Sequence, residues 1–405
     1  MMEAAAHLVD HVLPMVPYRQ FVISFPIPLR YWLNSNRKLY AKVHRIVIKQ
    51  LHAYYTTKAK QLGMQDPSAG SISFTQRWGS ACNLNPHMHV ICPEGVYVTA
   101  GDHAVFRKIE PINDGEVANL LEGIAGKVLG LLKRHGFLDE DGEIVLNPLS
   151  DRDLSESEAI SQATAASLAG KIAFGPNAGN YVTKIGSGFG YGEEIPLAKG
   201  HRCFSRNGFS LHANTSTKTQ QRDQLEKLIQ YIARGPLSNE RLEIMEGGQV
   251  RLRLKTSWSD GTTHLEFTPS EFIEKLVALI PPPKTHLVRW GGVFAPNSRY
   301  RHEITLAPEI KKGIRLKSAD GEDRLMRNSS WSKILARAFK IDVNQCNNCS
   351  GEMRFICAVK DPDSIRRYLV HLNVPYDPPA RAPPRLQHQD MDFADSASLE
   401  VFNED

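Results

Sequence analysis

Asn85-Pro86-His87-Met88-His89-Val90-Ile91 is the stretch on which the reading of this chain turns. It follows an alternating run, Ser71 to Gln76, and a loop from Gly79 to Pro86, so two strands are expected, the second from about His87 to Thr99. Residues two apart on a strand share a face, which makes the His87 and His89 imidazoles converge while Met88 packs behind them. The pair is then either an ordinary couple on a sheet or half of a divalent-cation site. A zinc hydrolase would need a third protein ligand, and the helical His-Glu-x-x-His of metalloproteases is missing. Two nitrogen ligands and one oxygen ligand would instead suit Mg²⁺ or Mn²⁺ holding a phosphate oxygen.

Outward from this pair, the β-branched and aromatic run Arg19 to Phe25 reads as a strand. From Asn36 to about Leu62, Leu39, Val43, Ile46, Val47 and Leu51 recur at helical spacing with Lys and Arg between them, giving a long helix whose exposed side is basic. Helices are also expected over Glu116 to His135 and Ser270 to Ile280, and strands near Val250 to Lys255 and His264 to Phe267. The glycines between Gly186 and Gly192 fall at every second position with no Lys-Ser/Thr behind them, which describes a flexible loop and not a phosphate cradle. Pro281-Pro282-Pro283 is a stiff break and is taken as the end of the main body. The expected organisation is a body over 1–280 with a helical and loop insertion around 110–200, a smaller region over 284–374 with a helix near Trp331 to Phe339, and a Pro-rich then acidic, disordered tail over 375–405.

A third segment carries chemistry. Between Arg222 and Ala233 the residues Leu225, Leu228, Ile229 and Ile232 form one stripe of a helix that ends at Gly235-Pro236. Tyr231 lies roughly 110° from the centre of that stripe, outside the core, with Gln224, Lys227 and Arg234 one turn away on its own face. An exposed tyrosine between two cations is either a surface ring stacked on a neighbour or a nucleophile for a phosphodiester, since cations draw in phosphates and favour phenolate character.

Several stretches, taken in order, resemble one family: Ala6-His7-Leu8-Val9-Asp10-His11, Phe74-Thr75-Gln76-Arg77-Trp78-Gly79-Ser80 leading into Asn83-Leu84-Asn85-Pro86-His87-Met88-His89, Gly208-Phe209-Ser210-Leu211-His212-Ala213, Tyr231-Ile232-Ala233-Arg234-Gly235-Pro236-Leu237, and Gly292-Val293-Phe294-Ala295-Pro296-Asn297. The chain resembles transposases of the insertion-sequence-91 type and their common-region relatives, rolling-circle enzymes of the HUH group. The resemblance implies an α+β fold with an antiparallel sheet carrying the histidines and flanking helices, His87 and His89 as metal ligands, Tyr231 as nucleophile, and single-stranded DNA as substrate. It leaves the third ligand open among Gln76, Glu94 and Gln224. Two-tyrosine members carry a second tyrosine one turn away, whereas here those positions are Lys227 and Gly235. One tyrosine must then be reused, or be joined by that of a second protomer in a homodimer. Relatives also carry a cysteine-rich zinc segment ahead of the Ala-His-Leu-Val-Asp-His stretch, so the chain reads as an N-terminally short copy.

The remaining signals are weaker. Cys346 and Cys349 have the spacing of half a zinc site that Cys357 and His371 could complete; a vestigial or reduced pair is the favoured reading. Arg77, Trp78, Lys227, Arg234 and the Arg299-Tyr300-Arg301-His302 cluster are the expected DNA contacts, because arginine beside an aromatic suits unpaired strands. A net charge of +5 agrees with a polyanionic partner without requiring one. No run of eighteen apolar residues and no signal-peptide pattern occurs, and six scattered cysteines do not form a disulfide framework. The expectation is a cytoplasmic protein without a membrane partner.

Overall fold

Alternating apolar residues build the main sheet in this computed structural model, which describes residues 2–101, 103–139, 158–186, 200–258, 260–282, 285–305, 315–317, 323–325 and 361–373, with positions 346, 349, 351, 353 and 359. The glycine run beyond 186, the helix expected near Trp331 and the tail from 375 lie outside the described residues. The chain divides into two compact units, one of His11–Ala307 with Asp392–Asp405, the other of Met1–Asp10 with Pro308–Met391.

In the larger unit, β1 (Tyr18–Ser24), β2 (Gly70–Trp78) and β3 (Leu84–Pro93) are followed by a hairpin of β4 (Gly95–Ala100) and β5 (His103–Lys108). Next come β6 (Thr183–Ile185), β7 (Cys203–Arg206), β8 (Phe209–His212), β9 (Ser216–Thr217), β10 (Leu242–Ile244), β11 (Val250–Arg253), β12 (His264–Phe267) and β13 (Val288–Gly292). The main sheet is antiparallel with strand order β13-β2-β3-β1-β8-β7, and β9 pairs with β1. The fold is therefore α+β with an antiparallel sheet and flanking helices, as expected. β13 lies beyond the triple proline and pairs with β2 from Val288↔Phe74 to Gly292↔Gly70. The break expected at 281–283 is thus followed by another strand of the same sheet. Gly292 ends that strand with positive φ, and a Cβ there would collide with the Ala69 carbonyl, so only glycine fits the approach.

One face of the main sheet is apolar. Phe21, Ile23, Met88, Val90, Cys92, Phe209 and Leu211 pack into a core with Leu39, Val43, Val47 and Leu51 of α3 (Arg37–Gln61) and Val117, Leu121, Ile124 and Val128 of α4 (Asp114–Arg134); α2 (Ile27–Ser35) adds Leu29 and Leu33. Asn36 caps α3 by accepting from the Leu39 amide, and Asn113 with Glu116 forms a capping box on α4, which fixes both starting points.

A second sheet, in the order β10-β11-β12-β6, encloses its own core of Leu252, Leu254, Leu265 and Phe267 with Phe272 and Leu279 of α7 (Pro269–Leu279). Ala81 and Cys82, from the turn between β2 and β3, and Leu84, which opens β3, belong to that same core. The turn that leads into the histidine strand is therefore clamped by the second sheet. α5 (Glu158–Leu168) packs on α7, and α6 (Arg222–Ala233) packs beside β2 and β9.

In the smaller unit the described elements are a helix, Met2–His7, a hairpin of Arg315–Lys317 with Asp323–Leu325, and a helix, Pro362–His371. No described helix is long and apolar enough to cross a membrane.

Candidate functional site

β3 pairs with β2 by Phe74↔His89 and Gln76↔His87, and with β1 by Val22↔His89. Strand alternation therefore puts His87, His89, Gln20, Val22 and Gln76 on the face opposite the α3 core. The pairing then skips to Trp78↔Leu84, so β3 carries one more residue than β2 over that interval. This is a bulge at Asn85-Pro86, where a proline without an N–H costs no ladder bond.

Both imidazoles are buried, and their Nε2 atoms stand 3.1 Å apart. His87 Nδ1 meets the Asn85 carbonyl at 2.7 Å, which places the ring proton on Nδ1 and leaves Nε2 with its lone pair. His89 Nδ1 meets the Gln20 side-chain nitrogen at 2.6 Å. Burial holds the His87 imidazole down to about 4, and pushes His89 well below its ordinary range with further help from the charges of His87, Arg234 and His212. Both rings are neutral at pH 7, the state a metal ligand requires.

One pocket is lined by Gln76, Trp78, Ser80, Asn85 and His87 from the β2–β3 region, by Tyr231 and Arg234 from the end of α6, and by Arg241 and Lys255. Leu225, Leu228, Ile229 and Ile232 anchor α6 in the interior, and Gln76 donates to the Ile232 carbonyl at 2.5 Å. That anchoring leaves Tyr231 half-buried, off the apolar stripe and at the pocket. The Arg234 guanidinium lies 4.0 Å from the Tyr231 ring centroid and the Lys255 ammonium 5.3 Å from it. Arg234 thus touches the tyrosine and acts electrostatically on His89. Arg241 fixes the opposite wall, donating to the carbonyls of Arg253, at 2.7 Å, and Ser80.

A divalent cation fits the chemistry of this wall. At nitrogen–metal distances of about 2.1 Å the histidine separation subtends roughly 95° at a shared ion, as cis ligands of an octahedral shell do. Ser80 Oγ and Asn85 Oδ1, on pocket-lining residues, are buried without a hydrogen-bond partner; the serine hydroxyl could donate to a phosphate oxygen of such a shell, and the amide oxygen could accept from its water. Among the described residues no group of three His, Cys, Asp or Glu is placed to hold a metal.

Gln76 is at the pocket, its amide nitrogen engaged by α6. Glu94 is ion-paired with Arg19, and Gln224 is exposed on the first turns of α6; neither lines the pocket. Of the expected DNA contacts, Trp78 and Arg234 line it. Lys227 is exposed on α6 away from it, and Arg77 is buried, donating to the Ile280 carbonyl. Arg299 and Arg301 lie against Tyr300 and Trp290 at 4.5 and 4.9 Å. Cys346 and Cys349 sit in a turn closed by the Cys346 amide donating to the Gly351 carbonyl, while Cys357 lies outside the described residues. Gln20, Arg241 and Lys255 were not singled out by sequence reasoning. Each comes from a distant segment without a local motif, and only strand pairing delivers it.

The family model described as "Putative transposase" matches residues 70–301, more than half of the chain, and the chain belongs to that transposase family. No curated protein and no solved structure matches the chain.

Proposed function

We propose that this transposase nicks and rejoins single-stranded DNA through a 5′-phosphotyrosine on Tyr231, in transposition of the rolling-circle type. The observation that carries the reading is the shared pocket: Tyr231 and His87 line it together, and Arg234 bridges the tyrosine ring and the field at His89. His87 and His89 would hold Mg²⁺ or Mn²⁺, which when bound supplies Lewis-acid polarisation of a phosphoryl oxygen.

The remaining steps belong to side chains of this chain. Arg234 and Lys255, against the ring, draw in the phosphate. The Tyr231 oxygen attacks phosphorus, the bond to the 3′ oxygen breaks, and the proton lost by the phenol is balanced by the one gained at the released 3′-hydroxyl. The phosphotyrosine keeps the energy of the broken linkage, so attack by a 3′-hydroxyl reverses the step without ATP. Trp78, which lines the pocket, would stack an unpaired base. With one tyrosine in the motif, two successive transfers require its reuse or a second protomer.

The test is to incubate the full chain with labelled single-stranded DNA and Mn²⁺, then denature it. A covalent protein–DNA adduct that disappears in Tyr231→Phe is the expected result. Cleavage without an adduct would indicate a hydrolase, and binding without cleavage a DNA-binding protein that has lost turnover. Preference for element ends over a plasmid origin separates a transposase from a replication initiator or relaxase with the same chemistry.

A further inference from the structure

The exposed side of α3 has no role in the pocket, and its composition is one-sided. Every charged residue of this 25-residue helix is Lys or Arg. Lys38, Lys42, Arg45 and Lys49 follow one another at steps of four, three and four, which places them on a single stripe roughly 16 Å long, about half a turn of B-DNA. Leu39, Val43, Val47 and Leu51 on the opposite side are buried, so the stripe cannot turn inward. α4 adds exposed Lys133 and Arg134 at the same end, where the Lys42 ammonium meets His135 Nε2 at 2.9 Å. The nearby carboxylate of Glu116 is engaged at the far end of α3 by Lys58, at 2.7 Å.

A solvated helix face ordinarily mixes charge signs, and like charges four apart destabilise a helix. A polyanion lying along the stripe removes that cost. We propose that α3 and the end of α4 form a second DNA-binding surface, gripping the backbone of duplex DNA outside the strand held at the pocket. The duplex is favoured over an unpaired strand because the stripe offers no base-stacking ring: Tyr40 and Tyr55 are buried, and Tyr54 is half-buried with its hydroxyl on Glu116. The stripe also lacks the apolar border that a membrane-surface helix needs. α3 covers the sheet face opposite the histidines, so DNA that reaches both surfaces must extend past the sheet edge. The inference rests on membership of a transposase family and not on the tyrosine chemistry.

The experiment measures binding of the full chain to an unnicked 25-base-pair duplex (a length of about 85 Å at roughly 3.4 Å per pair) by fluorescence anisotropy across a salt series. Arg45→Glu with Lys49→Glu should weaken binding at least about tenfold and lower the slope of log affinity against log salt by about two, close to 0.9 per lost phosphate contact. Arg107→Glu with Lys108→Glu, exposed on β5, makes the same change in net charge and should leave both quantities near those of the unaltered chain. An unchanged slope in the α3 variant, or an equal loss in the β5 control, overturns the proposal. Lys38→Gln with Lys42→Gln repeats the test without charge reversal, and a similar direction with a smaller loss is expected. Tyr231-dependent adduct formation on a short single-stranded oligonucleotide should be unaffected in the α3 variants. That readout keeps failure of the α3 surface distinct from failure of the catalytic reading.

Discussion

The two faces of β3 are equally buried and differ in almost every other respect. Met88, Val90 and Cys92 enter an apolar core against α3 and α4, where dispersion and loss of apolar surface to water hold the sheet. His87 and His89, one residue out of phase, face the other way with Ile91, beside Val22, Phe74 and Gln76 of the neighbouring strands, and His87 reaches the pocket. For the imidazoles, burial strips away water and keeps the rings neutral. Burial alone therefore does not distinguish a core residue from a site residue. The partners do.

The sharpest way to break this comparison is to truncate one residue on each face. His87→Ala or His89→Ala should leave the fold intact while reducing covalent adduct formation on single-stranded DNA by roughly 10²–10³-fold or more. Met88→Ala, between them in sequence, should cost about 2–5 kcal/mol of unfolding free energy, with adduct chemistry retained by the folded fraction. Denaturant midpoints and adduct yields measured on all three variants decide the matter. If the histidine variants unfold as Met88→Ala does, the outer face is structural.

Gln20 sharpens the comparison further, because it sits on the histidine face, meets His89 and does not line the pocket. Its side-chain nitrogen at 2.6 Å from His89 Nδ1 puts the ring proton on Nε2; with the amide turned, its oxygen would accept from Nδ1–H and free Nε2 for a cation. Gln20→Leu should weaken Mn²⁺ binding by roughly 10–100-fold, read by calorimetry, while Gln20→Glu should restore most of it. Equal loss in both variants would point to packing.

Much of this was legible in sequence where the signal is local and periodic. α6 runs from Arg222 to Ala233 as its stripe and its Gly-Pro stop require, and α3 and the histidine strand follow from their own alternation. Local periodicity misses single-residue breaks. The strand expected from His87 to Thr99 is interrupted at Glu94 and resumes as β4 in a separate two-stranded sheet, where Gly95 lies so close to the Arg107 carbonyl and the Phe106 ring that no side chain fits. Pairing between distant segments is the other blind spot. Nothing near Val288 announces that it joins β2, and nothing near Lys255 announces Tyr231. Arg77 and Trp78 read alike as DNA contacts, yet only Trp78 reaches the pocket, since neighbours on a strand diverge.

The core face has histidines of its own, and they supply the mildest test of the contrast. His44 and His52, on α3, meet Ser73 Oγ at 2.7 Å and Ser71 Oγ at 2.8 Å, and burial holds each imidazole down to about 4. In the unfolded chain both titrate near 6.5. Between those values the unfolded state binds protons that the folded state refuses, so their contribution to stability is intact above about pH 6.5 and lost as the pH falls toward 4. Replacing both with glutamine, which keeps a donor toward serine but cannot titrate, should flatten part of that decline. Urea midpoints at pH 7.5 and 5 should therefore drop less in the double variant than in the unaltered chain. An identical drop would mean that these rings are solvated enough to protonate in place, and that the sheet's core face is less dry along α3 than the packing of Val43, Val47 and Leu51 implies.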